Sequence, residues 1–270
     1  MVRYQPYQCF PISFFENKYH LRFRLLPSSS PDFGAISQFK GVKMLTRVNL
    51  TVILMICAIA ISAVGAKNHV QLGASPPTCK RIECPVYDVI ESGKDYEIRR
   101  YSSAMWMSTA PIDDTSLVKA TQTGFIRLFD YISGDNTYHK KVEMTAPVIT
   151  QVKPSDGPFC KSSFVVSFYV PKANQQDPPP SPSLHLQKWG ETYVAVRQFG
   201  GYVSDSDVGK QAAELSASLN GTVWLDAIKK SHAGENTTLY TVAQYNSPFE
   251  FVGRVNEIWV KFDKINTFIF

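Results

Sequence analysis

From residue 95 onward the chain switches between two hydrophobic periods. Asp95-Tyr-Glu-Ile-Arg-Arg-Tyr101 sets Tyr96, Ile98 and Arg100 on one side and Glu97, Arg99 and Tyr101 on the other, the two-residue repeat of a strand. That strand is expected to continue through 104–110. Val118, Thr121, Phe125, Leu128, Phe129 and Ile132 then recur at helical spacing. Asp113, Asp114 or Thr115 is expected to cap this helix, and Gly134-Asp-Asn136 to end it. Strands are expected over 142–152 and 162–170, joined by a turn at 154–158. The proline-rich stretch 177–182 cannot enter a helix or a sheet interior. After it the order returns: a strand at 191–199, a helix capped by Asp205 or Ser206 and running to Leu219, a break at Asn220-Gly221, and strands at 238–245 and 257–262. One strand–helix–strand–strand order, met twice, predicts an α+β fold with internal pseudo-symmetry. Its strands would form a curved, mostly antiparallel sheet or barrel, with two helices outside it or across its mouth.

The N-terminal quarter follows neither period. Residues 50–66 carry no charge, Lys40, Lys43 and Arg47 precede them, and Val64-Gly65-Ala66 offers a small-residue cleavage site. That is the layout of a secretory signal peptide, and an uncleaved signal anchor is the competing reading. The chain therefore divides into a poorly ordered extension (1–43), the signal peptide or anchor (44–66), a linker (67–82), a globular domain (83–264) and a tail (265–270). Translation from Met1 or from Met44 stays open. Either reading puts the domain on the non-cytosolic side, secreted or lumenal, with membrane contact only if the apolar segment is retained. In an oxidising compartment Cys79, Cys84 and Cys160 are disulfide candidates, and their three pairings remain open. Asn220-Gly-Thr222 and Asn236-Thr-Thr238 are N-glycosylation sequons, making Asn220 and Asn236 the candidate glycan sites.

Charge changes the picture by its location. The 270 residues carry a formal net charge of +5, and 1–66 hold seven basic residues against two acidic ones, leaving the rest of the chain balanced. A balanced domain argues against a nucleic-acid partner. The phosphate-binding glycine loops and the Gly-x-Ser-x-Gly elbow are missing from the sequence. The five histidines do not fall at metal-ligand spacing, so neither a catalytic nor a metal site is expected. What remains is aromatic abundance. Phe125, Phe129, Phe249 and Phe251 are candidates for lining an apolar pocket, with Lys119 and Arg127 as cations at its rim.

Several segments are specific in combination. They are Asp95-Tyr-Glu-Ile-Arg-Arg-Tyr101 with Trp106, Thr121-Gln-Thr-Gly-Phe125 with Tyr131-Ile-Ser-Gly-Asp-Asn136, Glu143-Met-Thr-Ala-Pro-Val148, Gly157-Pro-Phe159, Ser167-Phe-Tyr-Val-Pro171, Asp177-Pro-Pro179, Tyr245-Asn-Ser-Pro248 and Arg254-Val-Asn-Glu-Ile-Trp259. Over about 83–262 the chain resembles the SOUL heme-binding protein family. The resemblance implies a distorted β-barrel of two pseudo-symmetric halves with two helices. It also implies non-catalytic binding, buffering or transport of heme or another tetrapyrrole as ligand. The tetrapyrrole would lie in an apolar groove formed by Gln122, Phe125, Ile126 and Phe129 with Phe249, Glu250 and Phe251. Gln122, Asp130 and Glu250 stand where some members carry basic residues, so that propionate scheme does not carry over. Arg100 stands where another branch has a histidine; it is a candidate propionate contact instead, alongside Lys119 and Arg127. Asn256 and Glu257 are read as structural, satisfying backbone groups near the chain end. The alternative function is a protein-interaction module of the secretory pathway with no tetrapyrrole ligand, working through the second-helix region 212–230.

Overall fold

The computed structural model describes residues 75–153, 161–233 and 238–263. The extension 1–43, the apolar segment 44–66, Cys160, Asn236, the 154–158 turn and the 265–270 tail lie outside these residues. Four strands open the domain: β1 (Tyr87–Ser92), β2 (Glu97–Tyr101), β3 (Ala104–Thr109) and β4 (Ile112–Asp114). The helix α1 (Leu117–Ser133) leads to β5 (Val148–Lys153) and β6 (Ser162–Tyr169). Then come β7 (Leu184–Trp189), β8 (Thr192–Gly200), α2 (Asp205–Ser218), α3 (Val223–Ser231), β9 (Tyr240–Gln244) and β10 (Val255–Phe262).

The strands form one antiparallel sheet, β1-β2-β8-β10-β9-β5-β6-β3-β7, with β4 paired to β6, curled into a half-barrel. This is the expected α+β duplication, and its order mirrors about the β9–β5 pair: β9-β10-β8 on one side, β5-β6-β3 on the other. The flanking strands are exchanged. β2 precedes β3 in the chain yet pairs with β8, and β7 precedes β8 yet pairs with β3. The strand expected to run on from 101 into 104–110 therefore parts at Ser102-Ser103 and joins opposite ends of the sheet. Tyr101 and Trp106 share the inner layer although they lie five positions apart, so the alternation changes phase at this connection. Which strands pair is a non-local matter that the two-residue period of either piece does not report.

Other differences have local causes. Pro147 lacks an N–H for the ladder, so β5 starts at Val148 rather than 142. Val142 instead bonds the Ile132 carbonyl, and Thr145 donates to the Tyr169 carbonyl at 2.6 Å. Ser116 and Ser204, not the neighbouring acids, cap α1 and α2. Gly221, at φ 77°, ends the α2 segment as expected. Thr222 then caps α3 at once by accepting the Leu225 N–H. Sequence reading missed β1 because five of its six residues are exposed and alternate with nothing.

Two packed layers result. Inside the curl lie Tyr101, Trp106, Ile149, Trp189, Val194, Val196 and Trp259, with Trp106 4.9 Å from Trp189 between ring centroids. Outside it, α2 and α3 bury Val208, Leu215, Trp224 and Ile228 against Ile98, Ala195 and Ile258. Alternate residues of each strand serve the two layers, as a strand covered on both faces requires.

Candidate functional site

The expected ligand surface begins with α1, and its seat is tight. Leu117, Ala120, Gly124, Leu128, Tyr131 and Ile132 face the sheet and are buried. A Cβ at Gly124 would stand 2.4 Å from Val166 Cγ2, so glycine is what lets the helix lie on β6. Thr121 and Thr150 hydroxyls bond at 2.8 Å. Asp205, the first residue of α2, accepts the Val118 N–H and the Ser116 hydroxyl, so one carboxylate serves the N-termini of both helices.

This seat turns part of the expected apolar stripe outward. Leu128 and Ile132 are buried, Phe125 is half-buried, and Val118 and Phe129 are exposed. Phe129 is 49% exposed and Ile126 53%. The Phe125 ring stacks on Phe129 at 5.8 Å and meets Phe168 edge-on at 5.5 Å. Phe125, Ile126 and Phe129 thus make one aromatic patch anchored to β6, with Gln122, Lys119, Arg127 and Asp130 exposed around it. Lys119 and Arg127 have no ion-pair partner among the described residues.

The other expected wall is the β9–β10 loop. Phe249 and Phe251 are 81% and 75% exposed. They flank Glu250, whose carboxylate receives Arg81 and, at 2.9 Å, the Asn246 amide. Those two hydrogen bonds hold the Glu250 pKa below the usual carboxylate value. The loop is further tied by Arg254, which donates to the Ser247 and Glu250 carbonyls and lies 4.2 Å over the Tyr202 ring. Arg100 sits elsewhere. It lies on β2, separated from β6 beneath α1 by β8, β10, β9 and β5, and its guanidinium is engaged at 2.6 Å by Asp88. It is a paired strand arginine.

A buried ionic cluster inside the half-barrel escaped sequence reading. Arg99 donates to Glu97 at 2.8 Å and to Glu257 at 3.1 Å, with all three side chains fully buried. Glu257 also accepts from Tyr245 at 2.8 Å, Trp259 at 2.6 Å and Gln198 at 2.7 Å. The Tyr87 ring lies 4.2 Å from the guanidinium. Burial alone would lower the Arg99 pKa; Glu257, together with Tyr101, Tyr245 and Tyr87, outweighs it, so the pKa is raised and the residue stays charged. Burial, reinforced by Glu257, keeps the Tyr245 hydroxyl protonated well above its ordinary range. Glu257 therefore serves side chains, not backbone groups as expected, whereas Asn256 does bond a backbone group, the Gly201 carbonyl at 2.8 Å. The available signal was the charged pair Glu97 and Arg99 sharing a strand face with Tyr101.

Cys79 and Cys84 form a disulfide with Cα atoms 5.5 Å apart, resolving one of the three pairings left open. Asn220 is exposed at the α2–α3 turn. Among the described residues no cluster of His, Cys, Asp and Glu could hold a metal, and no helix is long and apolar enough to cross a membrane.

A curled antiparallel sheet of two repeated halves, with its helices outside and one of them baring an aromatic face, defines an α+β half-barrel of duplicated design. Residues 82–261 match the family described as SOUL heme-binding protein, and the chain belongs to that family. Human Heme-binding protein 2 is 37% identical over 169 residues, which are 61% of this chain and 77% of that protein. The Mus musculus Heme-binding protein 2 is 34% identical over 175 residues, 64% of this chain and 80% of that one. Bos taurus Heme-binding protein 1 is 30% identical over 155 residues, 57% and 76% of the two chains. The C-terminal domain of EcmrR aligns at 9% identity with a TM-score of 0.39, over 67% of this chain and 99% of that chain, a likeness too slight to bear on function.

Proposed function

We propose that the protein binds heme or a related porphyrin without chemical turnover, and so buffers or carries it. The observation that carries this reading is the stacked, half-exposed Phe125–Phe129 pair with Ile126 on α1. Large apolar side chains left in water on a domain with a full interior mark a contact surface. A planar macrocycle would cover them, and at about 25 cal/mol per Å² such burial gives useful affinity. Phe249 and Phe251 supply a second apolar wall, while Lys119 and Arg127 are the cations available beside the helix. The names of the relatives, Heme-binding protein 1 and 2, point the same way. The interaction-module alternative has less support, since Trp224, Leu225, Ala227 and Ile228 of α3 are packed inward. The test is titration with hemin and with protoporphyrin IX, following Soret absorbance and tryptophan fluorescence. Saturable binding at micromolar ligand is expected, weakened about tenfold, or 1.4 kcal/mol, in Phe129→Ala. A flat titration would end the reading.

We further propose that the domain is a glycosylated product of the secretory pathway. The apolar run at 50–66, the Cys79–Cys84 disulfide and the exposed Asn220 support it. N-terminal sequencing of the mature chain and glycosidase treatment test it. An N-terminus upstream of the run and an unshifted mass would overturn it.

A further inference from the structure

The exchange of strands between the halves leaves a cleft. Its volume is about 630 Å³, within the range of small-molecule sites. It is lined by Pro85 and Val86 before β1, by Met105 at the start of β3, by Tyr169 at the end of β6, by Lys188 on β7 and by Lys172. Ser102 and Ser103, the connection at which β2 and β3 part, complete the rim.

The cleft is built rather than incidental. Gln175 clamps one wall: its Oε1 accepts the Met105 N–H at 2.7 Å and its Nε2 donates to the Met105 and Val170 carbonyls. The Glu83 carboxylate accepts the Lys172 backbone N–H at 2.7 Å, fixing the turn that carries this lysine. The Cys79–Cys84 disulfide staples the segment leading into Pro85 and Val86. Beneath, Tyr169 is braced edge-on against Trp106 at 5.6 Å. Val86 is left 82% exposed on the wall. The ammonium groups of Lys172 and Lys188 have no ion-pair partner among the described residues.

We infer that this cleft is a second ligand site, distinct from the α1 surface, for an amphiphilic anion: an apolar body lying on Val86, Met105 and Tyr169, and a carboxylate held by Lys172 and Lys188. The charge decides the class. Two unpaired cations beside an apolar wall would repel a cation and leave a neutral ligand's share of the site unused, whereas a carboxylate satisfies both. Among the described residues the Glu83 carboxylate is the one acid bonded to this wall, and it is engaged by the Lys172 N–H. The inference does not depend on tetrapyrrole binding at α1.

The probe is cis-parinaric acid, with its methyl ester as the neutral control, titrated by fluorescence into the full chain. Saturable binding of the acid is expected, weakened about tenfold by Lys172→Glu with Lys188→Glu and by neutralising the probe. Added salt should weaken it further. Phe129→Ala, on the other surface, should leave it unchanged. Both lysines are exposed, so an unaltered melting temperature is expected to show that the variant is folded. The proposal is overturned if the acid does not saturate, if acid and ester bind alike, if the lysine variant binds as the parent does, or if only Phe129→Ala loses binding. A protoporphyrin IX titration of the same variants reports separately on the α1 surface.

Discussion

The two halves dress one scaffold differently. α1 and α2 both cap with serine, both bury one face on the sheet, and both meet at Asp205. Yet α1 leaves Ile126 and Phe129 in solvent, whereas the outward residues of α2 include Ser206, Lys210, Ala213 and Ala217. The α2 helix is held by polar ties, with Arg197 of β8 bonding Glu214 at 2.6 Å and Gln211 at 3.1 Å. The α1 helix is held by close approach, with Gly124 against Val166. Since α2 seats itself without an apolar outer face, the fold does not demand one of α1. The exposed Ile126 and Phe129 are thus a property of the first repeat's surface chemistry and not a demand of the fold, as a contact surface requires.

The comparison breaks most completely where the halves share a residue. Arg99 comes from β2 and Glu257 from β10, and removing the guanidinium leaves two buried carboxylates without their cation. Arg99→Met should cost about 3–5 kcal/mol, read as a fall in the urea midpoint. Adding Glu97→Gln and Glu257→Gln should recover part of the loss, because the penalty lies in the orphaned charges rather than in the missing contact. A midpoint unchanged in Arg99→Met would mean the cluster does not join the halves energetically.

A smaller effect sharpens the contrast between the two helices. Gly124→Ala drives a methyl into Val166, a buried β-branched side chain with little room to yield, and should destabilise by about 1–3 kcal/mol. Gly209→Ala in α2 meets nothing within 4 Å and should stabilise by about 0.5–1 kcal/mol through helix propensity. Thermal melts of the two variants should therefore move in opposite directions. Two shifts of the same sign would show that the helices are not seated as described.

Much of this asymmetry lay beyond sequence reading for identifiable reasons. The repeat, the antiparallel curl and both long helices were legible because a period of two and a period near 3.6 survive in short windows. The partners of β2 and β3 were not legible, since pairing is non-local and each strand's own alternation is silent about its neighbours. The aromatic composition of α1 was visible, but which phenylalanine faces out depends on where Gly124 meets β6. The Lys172–Lys188 cleft joins residues from a short turn and a strand that were never read as elements. The Arg99 cluster spans 158 residues of sequence.

The smallest difference between the halves is one of charge. Lys261, on β10, reaches across to Trp189 of β7, which flanks the other half, and its Nζ lies 3.9 Å from the ring centroid. Burial lowers its pKa from 10.5 to about 8, with Asp263 opposing only in part. The unfolded chain therefore holds a proton between about pH 8 and 10 that the folded chain has released. Stability must rise with pH across that window, because the state binding more protons is the unfolded one. The partial exposure of Lys261 and its contact with the indole face temper the gain to about 1 kcal/mol. Above pH 10 the sign reverses. Burial and the bond to Glu91 raise the Tyr96 hydroxyl to about 12, so the unfolded tyrosine ionises first and the folded state loses ground. Urea midpoints at pH 7.5, 9 and 10 should climb in the parent and stay level in Lys261→Met, which keeps the apolar stem but not the titrating amine. Equal slopes in the two proteins would show that the contact across the halves carries no burden of desolvation.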